Sequence, residues 1–192
     1  MWYDVPVTPA RRRADATENR ARIIEAARAE LTGDAEIRLN AVAQRAGVGQ
    51  GTLYRHFPTR ADLLAEVYRA DVDDLVASAA TLLQRHDPLT ALRAWFDRVA
   101  EYAQVKRGVF AALEVATGED LSAHSLGPIG GAVTLLLEAG RAAGEIRPDV
   151  DARDVIILIG YLSRLDPAEF DARARHLLGV VLDGLRTRGS AA

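Results

Sequence analysis

The sequence predicts an all-α fold, in which a small N-terminal three-helix domain is followed by a larger helical domain. Three observations support this prediction. In most segments apolar residues recur at i, i+3, i+4 and i+7, which places them on one helix face. Glycines follow several of these segments and Asp-Pro pairs precede others, as expected for helix ends and starts. No two segments show the alternation of apolar and polar residues that paired strands would show.

The composition is that of an ordinary globular protein. The 192 residues are 49% hydrophobic and 27% charged, close to the average for such proteins. Cys is absent, which excludes disulfides, Cys-based zinc sites, thiol nucleophiles and iron–sulfur clusters. There is no 18-residue apolar run and no apolar core of a signal peptide near the N-terminus. We therefore expect a cytoplasmic protein without a membrane partner.

The net charge of −3 conceals an asymmetry between the two ends of the chain. Residues 1–60 contain ten Arg and seven acidic residues, a net charge of +3. Residues 61–192 contain 14 basic and 20 acidic residues, a net charge of −6. A basic N-terminal segment followed by an acidic remainder suggests that the N-terminal segment contacts a polyanion. Lys106 is the only lysine, which by itself indicates no more than composition bias.

The first segment, residues 1–14, is predicted to be a flexible basic arm. It contains Pro6 and Pro9, has no apolar periodicity and includes three consecutive arginines, Arg11 to Arg13. Whether these arginines are solvated or contact nucleic acid is left open.

Three helices follow the arm in residues 15–60. Asp15 and Glu18 have the spacing of a capping box at the start of the first helix. The second helix ends at Gly47, and the third covers about residues 50–57. The apolar positions assigned to the first two helices are Ile23, Ala27, Leu31, Leu39, Val42, Ala43 and Ala46.

The domain at residues 61–186 is predicted to contain long helices, with a flexible tail at 187–192. Thr59 and Asp62 have capping-box spacing before the first long helix, and Asp87-Pro88 and Asp166-Pro167 precede later ones. The later helices are predicted at about 89–105, 109–116, 129–143, 152–165 and 168–185, the third ended by Gly144. The β-branched run 155–159 would suit a buried strand, but a lone strand has no partner. A helix that is apolar on all sides is therefore favoured.

Residues 37–64 have the features of a helix-turn-helix. Gly47 allows a left-handed turn, and Val48 is the apolar residue of that turn. Leu53 and Phe57 are one turn apart and are assigned to the core, which leaves the polar residues of the short helix on the other face. The Gly47-x-Gly49-x-Gly51 pattern lacks the lysine and the spacing of a phosphate-binding loop, so nucleotide binding is disfavoured.

In this segment the sequence resembles the TetR family of transcriptional regulators. The motifs that carry the resemblance are Val42-Ala43, Ala46-Gly47-Val48, Gly51-Thr52-Leu53-Tyr54, His56-Phe57 and Asp62-Leu63-Leu64. The resemblance implies a homodimer that binds a double-stranded DNA operator and responds to a small-molecule effector. By position it assigns operator contacts to Gln50, Gly51, Thr52, Tyr54, Arg55 and His56. Arg38 and Arg60 would contact the DNA backbone, although Arg38 stands where the family usually has a capping Ser or Thr.

Two further sites are predicted in the larger domain. Aromatic and polar residues clustered in sequence suggest a small-molecule pocket, although an ordinary core is the alternative for each one. Excess apolar surface on the last two helices suggests a two-fold dimer interface. The pocket residues are Trp95, Phe96, Arg98, Tyr102, Phe110 and Glu114, and the interface residues are Ile157, Tyr161, Leu178, Val181, Leu182 and Leu185.

No arrangement of residues in the sequence suggests catalysis. The four histidines lack metal-ligand spacing and there is no Gly-x-Ser-x-Gly motif, so neither metal nor cofactor is expected. The hypothesis is a ligand-responsive DNA-binding regulator, most simply a repressor that acts on a palindromic operator. An all-helical carrier or enzyme and a helical protein-interaction scaffold remain as alternatives.

Overall fold

The computed structural model describes residues 9–31, 37–112 and 115–187, and within these ranges the chain is helical except for short connections. The chain divides into two compact units, Met1–Val67 and Tyr68–Ala192, whereas the sequence placed the boundary after residue 60. The helices are α1 (Pro9–Glu30), α2 (Leu39–Ala46), α3 (Gln50–His56), α4 (Arg60–Arg85), α5 (Pro88–Ala112), α6 (Val115–Ala142), α7 (Ala152–Ile159) and α8 (Phe170–Leu185). The all-α prediction is confirmed.

The helices of the first unit pack around the apolar residues that the sequence assigned to its core. Ile23 and Ala27 on α1 are fully buried, as are Leu53 on α3 and Phe57 directly after it. Gly47 ends α2 in the left-handed region, at φ 64°, and the Val48 N–H donates to the Ala43 carbonyl at 3.0 Å. The predicted glycine turn between the two helices is therefore confirmed.

The structure corrects the predicted N-terminal arm. Residues 9–14, which include the three arginines, belong to α1 rather than to an irregular segment. Pro9 stands at the first helical position, where its missing N–H costs nothing, and the following Ala and Arg residues are good helix formers. Asp15 and Glu18 consequently lie inside the helix and not at its start. Residues 1–8 lie outside the described part of the chain.

The capping residues that the sequence predicted at positions 59, 87 and 166 all form hydrogen bonds to backbone N–H groups. The Asp62 N–H donates to the Thr59 hydroxyl at 3.1 Å, and the Thr59 N–H donates to the Asp62 carboxylate at 3.0 Å. The Asp87 carboxylate accepts from the Thr90 N–H at 2.9 Å, which lowers the pKa of Asp87. The Asp166 carboxylate accepts from the Ala168 N–H at 2.8 Å and caps a 3₁₀ turn, Pro167–Glu169, so α8 begins at Phe170 and not at about 168 as predicted. Each contact satisfies a backbone donor that the helix itself leaves unpaired.

Two predicted helix boundaries in the middle of the chain are wrong. α5 continues to Ala112 without a break between 105 and 109. α6 begins at Val115 and contains Pro128, which the sequence placed before a helix start at 129. Proline normally ends a helix because it lacks an N–H. Here the residues that follow it are buried against the core, Val133 and Leu136 among them, and such packing overrides local propensity.

The apolar run 155–159 forms a helix, as favoured, but the helix is amphipathic and not apolar on all sides. Val155 and Ile159 are buried, whereas Ile157 is 66% exposed and Leu158 is 47% exposed. α7 ends at Ile159, and residues 160–164 continue as a 3₁₀-helix where the sequence predicted α-helix to 165. Asp151 and Asp154 form a capping box at the start of α7, which the sequence analysis did not identify.

Backbone hydrogen bonds join the C-terminal end of α8 to the turn after α6. The Arg147 N–H donates to the Leu185 carbonyl, and the Thr187 N–H donates to the Glu145 carbonyl, both at 2.9 Å. Gly144, in the left-handed region at φ 73°, makes this turn. Thr187 is thus part of the fold and not of a tail, and 188–192 lie outside the described residues. None of the helices across 9–31, 37–112 and 115–187 combines the length and apolar character that crossing a bilayer requires.

Candidate nucleic-acid interface and cavity

The α3 helix presents a polar face while its apolar residues anchor it. Leu53 and Phe57 are buried in the first unit. Of the six α3 residues that the family resemblance assigns to operator contact, Gln50, Gly51, Tyr54 and Arg55 are exposed, and Thr52 and His56 are half-buried. The structure therefore brings all six onto one short helix. A helix of this kind is the element that enters the major groove in helix-turn-helix proteins.

Two side chains on this face form hydrogen bonds within the first unit. The Gln50 side-chain amide donates to the Asn40 Oδ1 at 2.9 Å, which links α3 to the first turn of α2. Arg55 donates through Nε to the Gly51 carbonyl at 3.0 Å and through its guanidinium to the Thr52 hydroxyl at 3.2 Å. Asn40 was missed by the sequence analysis, because only the packing of α2 against α3 reveals the pair.

Arg20 of α1 contacts Phe57 at the end of α3 and Glu66 of α4. Its guanidinium carbon lies 5.3 Å from the centre of the Phe57 ring, and it forms a 2.8 Å salt bridge with Glu66. A cation over an aromatic face is attracted to the ring. Arg20 therefore joins α1, the end of α3 and the start of α4 within the first unit. The sequence offered no signal for this contact, since the three residues are far apart along the chain.

The two predicted backbone contacts lie at helix starts. Arg38 immediately precedes α2 in an extended conformation, is exposed, and makes no side-chain capping bond. This agrees with the expectation that arginine cannot accept the cap hydrogen bond, yet α2 still begins at the next residue. Arg60 is half-buried in the first turn of α4. Their role at DNA phosphates stays a prediction.

A cavity of about 100 Å³ lies within the second unit. Among the residues that the structure describes, its lining is mostly hydrocarbon, with one hydroxyl from Tyr102 and one ammonium from Lys106. Burial lowers the pKa of Lys106 below its ordinary value, because desolvation disfavours the charged form. The lining residues are Leu75, Val99, Tyr102, Ala103, Lys106, Leu126, Ile129, Ile156, Ile159, Gly160 and Leu162.

The described lining differs from the pocket that the sequence predicted, and Tyr102 is the described residue that the two share. Trp95 and Phe96 are buried core residues, and the Trp95 indole donates to the Leu75 carbonyl at 3.0 Å. Arg98 is exposed, and the Phe110 ring packs edge-on against Tyr68 at 5.3 Å. Glu114 lies outside the described residues. The prediction grouped neighbours in sequence, whereas the cavity collects residues from α4, α5, α6, α7 and the following 3₁₀-helix.

The predicted dimer interface also requires correction. Leu178, Leu182 and Leu185 are buried inside the chain itself, so they are not on a surface that a second copy can cover. Val181 and Tyr161 are half-buried, and burial raises the pKa of Tyr161. Ile157 alone of the predicted set is largely exposed. The prediction failed because the apolar face of α8 is already buried against other helices of the same chain, so it is not available to a second copy.

The two helices on which the dimer interface was predicted, α7 and α8, do carry exposed apolar residues. Besides Ile157, Leu158 is 47% exposed and Val180 is 54% exposed. Exposed large apolar side chains are candidates for a contact surface where they lie side by side. Elsewhere in the part of the chain that the structure describes, no three His, Cys, Asp or Glu side chains gather as metal ligands do.

The glycine turn, the anchored α3 helix and its polar face define a helix-turn-helix protein of the DNA-binding class. Residues 23–67 match the family described as bacterial regulatory proteins, tetR family. Residues 87–187 match the family described as transcriptional regulator SbtR-like, C-terminal domain. The chain belongs to the TetR family of bacterial transcriptional regulators.

Solved structures agree over nearly the full length. The TetR transcriptional regulator SCO0520 from Streptomyces coelicolor is 39% identical, with a TM-score of 0.79, and the match covers 88% of this chain and 99% of that one. A TetR transcription regulatory protein from Mycobacterium vanbaalenii is 32% identical, with a TM-score of 0.73 and coverage of 91% and 99%.

A curated relative matches over a shorter stretch. The HTH-type transcriptional regulator SAUSA300_2515 from Staphylococcus aureus is 44% identical over 63 residues, 32% of this chain and 34% of that protein. The chain thus matches about a third of the length of this curated relative. Together these similarities indicate a DNA-binding transcriptional regulator and not an enzyme.

Proposed function

We propose that this chain is a homodimeric repressor that binds a palindromic operator in the cytoplasm and is released from it by a small molecule. The observation that carries the DNA-binding part is the exposed polar face of α3, on which Gln50 and Arg55 are already held by hydrogen bonds. Ordered side chains lose less conformational entropy when they contact DNA. Glutamine pairs with adenine and arginine with guanine at major-groove base edges.

The outer faces of α7 and α8 support the dimer. Ile157, Leu158 and Val180 expose apolar surface there, and a two-fold contact between two copies would remove it from water. A symmetric dimer carries two α3 helices, so it binds two half-sites about 34–36 Å apart, or a multiple of one helical turn. The symmetry of the protein then requires a palindromic operator.

The cavity of the second unit supports the response to a ligand. Leu75 of its lining belongs to α4, and α4 begins at Arg60, four residues after the last residue of α3. A ligand that binds more tightly when the α4 helix is in one placement than in another shifts the population of the DNA-binding conformation. A coupling free energy of about 1–3 kcal/mol would weaken operator binding roughly 5- to 150-fold.

The proposal is tested by incubating purified protein with sheared genomic DNA and sequencing the fragments that it retains. We expect retained fragments to share one palindromic sequence and the affinity to fall with salt concentration. A competitor of unrelated duplex DNA at the same salt concentration is the control. Retention without any shared sequence, or a monomer at the concentrations that bind DNA, would contradict the proposal and favour the carrier or scaffold alternatives.

A further inference from the structure

A side-chain hydrogen bond between Asn40 and Gln50 joins the two helices of the helix-turn-helix. The Gln50 Nε2 donates to the Asn40 Oδ1 at 2.9 Å, although the two residues are ten positions apart in the sequence. Asn40 is the second residue of α2, and Gln50 is the first residue of α3. Both residues are exposed, so water can replace the bond and its contribution to stability is small. Its main effect is therefore on the orientation of the Gln50 side chain.

Gln50 stands where a recognition helix contacts bases, because the N-terminal residues of that helix lie against base edges in the major groove. The next residue, Gly51, weakens a helix. An added Cβ at Gly51 would meet nothing among the described residues within 4 Å beyond its immediate neighbours in the helix. Packing within the described chain therefore does not require this glycine, and its missing side chain lets DNA approach the backbone beside Gln50.

The hydrogen bond restricts a side chain that would otherwise be mobile. A glutamine on a helix surface samples several rotamers, and ordering it costs conformational entropy. Its amide can also turn end for end, which exchanges the donor and the acceptor. The Asn40 Oδ1 accepts from the N–H end of the Gln50 amide, so the bond restricts both motions and fixes which end of the amide is the donor.

The same bond changes which bases Gln50 can bind. The amide has two N–H groups and one carbonyl oxygen, and Asn40 occupies one of the N–H groups. The remaining N–H and the oxygen match adenine, which presents an acceptor at N7 and a donor at N6 in the major groove. Guanine presents two acceptors, N7 and O6, and would need both N–H groups of an unrestricted amide.

We propose that Asn40 is a positioning residue, which fixes the Gln50 amide so that α3 selects adenine over guanine at one position of each operator half-site. This inference rests on the proposed operator binding and specifies how one of its base pairs is recognised. Asn40 acts through Gln50 and does not itself need to touch a base.

The test begins with a duplex library of randomised sequence, from which the full-length parent chain selects its preferred site. Each adenine in one half-site is then replaced by guanine, one position at a time, and the affinity is measured by fluorescence anisotropy. The position that Gln50 reads is the one at which Gln50→Ala abolishes discrimination between the two purines. At that position the parent should prefer adenine by about 5- to 150-fold.

Two substitutions of Asn40 isolate its role. Asn40→Ala should reduce the adenine preference by about fivefold, because the freed amide can offer both N–H groups to guanine. Asn40→Asp retains an acceptor for Gln50 and should keep the preference, while its negative charge weakens binding to both duplexes alike.

Three controls separate positioning from a structural role. Gln44→Ala removes an exposed amide from the same helix and should keep the parent's ratio of affinities. Asn40→Ala should add nothing to the loss of discrimination when Gln50→Ala is already present, since it acts through Gln50. The free energy of unfolding of Asn40→Ala should equal that of the parent, because the lost bond is exposed.

The outcomes distinguish this inference from the proposed function. If Asn40→Ala keeps the parent's adenine preference, even with both affinities lowered, Asn40 acts at the DNA backbone or not at all, and the inference is overturned. Loss of the preference in Asn40→Asp, or a base other than adenine at the position that Gln50 reads, also overturns it. In these cases the parent still selects a site, so the regulator proposal stands. A parent chain that selects no common sequence overturns both.

Discussion

The phenolic oxygens of Tyr68 and Tyr102 lie 2.8 Å apart and share a hydrogen bond, with their ring centres 5.9 Å apart. Tyr68 is a buried residue of α4, and Tyr102 is a residue of α5 that lines the cavity. The pair therefore connects the cavity wall to the helix whose first turn follows α3. A ligand that displaces Tyr102 must either break this hydrogen bond or displace Tyr68 as well.

The first prediction concerns the stability that this hydrogen bond contributes. Tyr68→Phe removes the buried hydroxyl and leaves the ring, so we expect the free energy of unfolding in urea to fall by about 1 kcal/mol. Tyr54→Phe removes an exposed hydroxyl on α3 and serves as the control, with no measurable loss. Equal stability of the two variants would mean that the Tyr68–Tyr102 contact contributes nothing to the fold.

The second prediction concerns the pH dependence of stability at Lys106. Burial lowers its pKa from the ordinary value of 10.5, so the folded chain disfavours the protonated form. The lysine therefore destabilises the fold below its folded pKa, and the cost disappears as the pH rises past 10.5. We expect Lys106→Met to melt at a higher temperature than the parent at pH 7, with the difference shrinking toward pH 10.5. A Met variant that is less stable at pH 7 would mean that Lys106 is a structural residue.

The third prediction separates surface from core in the last two helices. Ile157→Glu places a charge on the exposed face of α7 and should give folded monomers by light scattering, with unchanged circular dichroism. Leu178→Glu places a charge in the core and should destabilise the chain by at least about 3 kcal/mol. Ala80→Glu, an exposed position on α4, is the control for an added charge. A dimer that persists in Ile157→Glu would show that the proposed face is not the interface.

The fourth prediction concerns the phosphate contacts. Arg38→Ala removes an exposed arginine before α2, and it should weaken binding to operator and unrelated DNA by the same factor. The slope of log affinity against log salt concentration should fall by about 1. Arg93→Ala, an exposed position in the second unit, should leave the slope unchanged. If Arg38→Ala alters sequence preference instead, Arg38 does not act at the backbone alone.

Sequence patterns predicted the parts of this fold that depend on local chemistry. Gly47, the Thr59–Asp62 box and the Asp87 and Asp166 caps each act within a few residues of themselves, so their structure follows from neighbours in the chain. Boundaries set by tertiary packing were not predictable in this way. Pro128 lies inside α6 because the packing of the residues after it outweighs the local effect of the proline.

In the candidate sites, too, features set by neighbouring residues could be predicted and features set by tertiary packing could not. The polar face of α3 follows from seven consecutive residues and could be predicted, whereas the Gln50–Asn40 and Arg20–Phe57 contacts join separate helices. The cavity collects Leu75 of α4, Tyr102 of α5 and Ile156 of α7, and an aromatic cluster in sequence did not locate it. Leu178 was assigned to an interface because an apolar stripe does not reveal whether its partner is the same chain or another.

The central claim is that the α3 face reads the operator, and the affinity of the Arg55→Ala, His56→Ala double variant for the selected fragment tests it most directly. Fluorescence anisotropy should show that the variant binds this fragment no better than unrelated DNA, while light scattering shows an intact dimer. His86→Ala with Arg85→Ala, an exposed pair at the end of α4, is the matched control and should bind like the parent. Parent-like operator affinity in the Arg55→Ala, His56→Ala variant would contradict the claim.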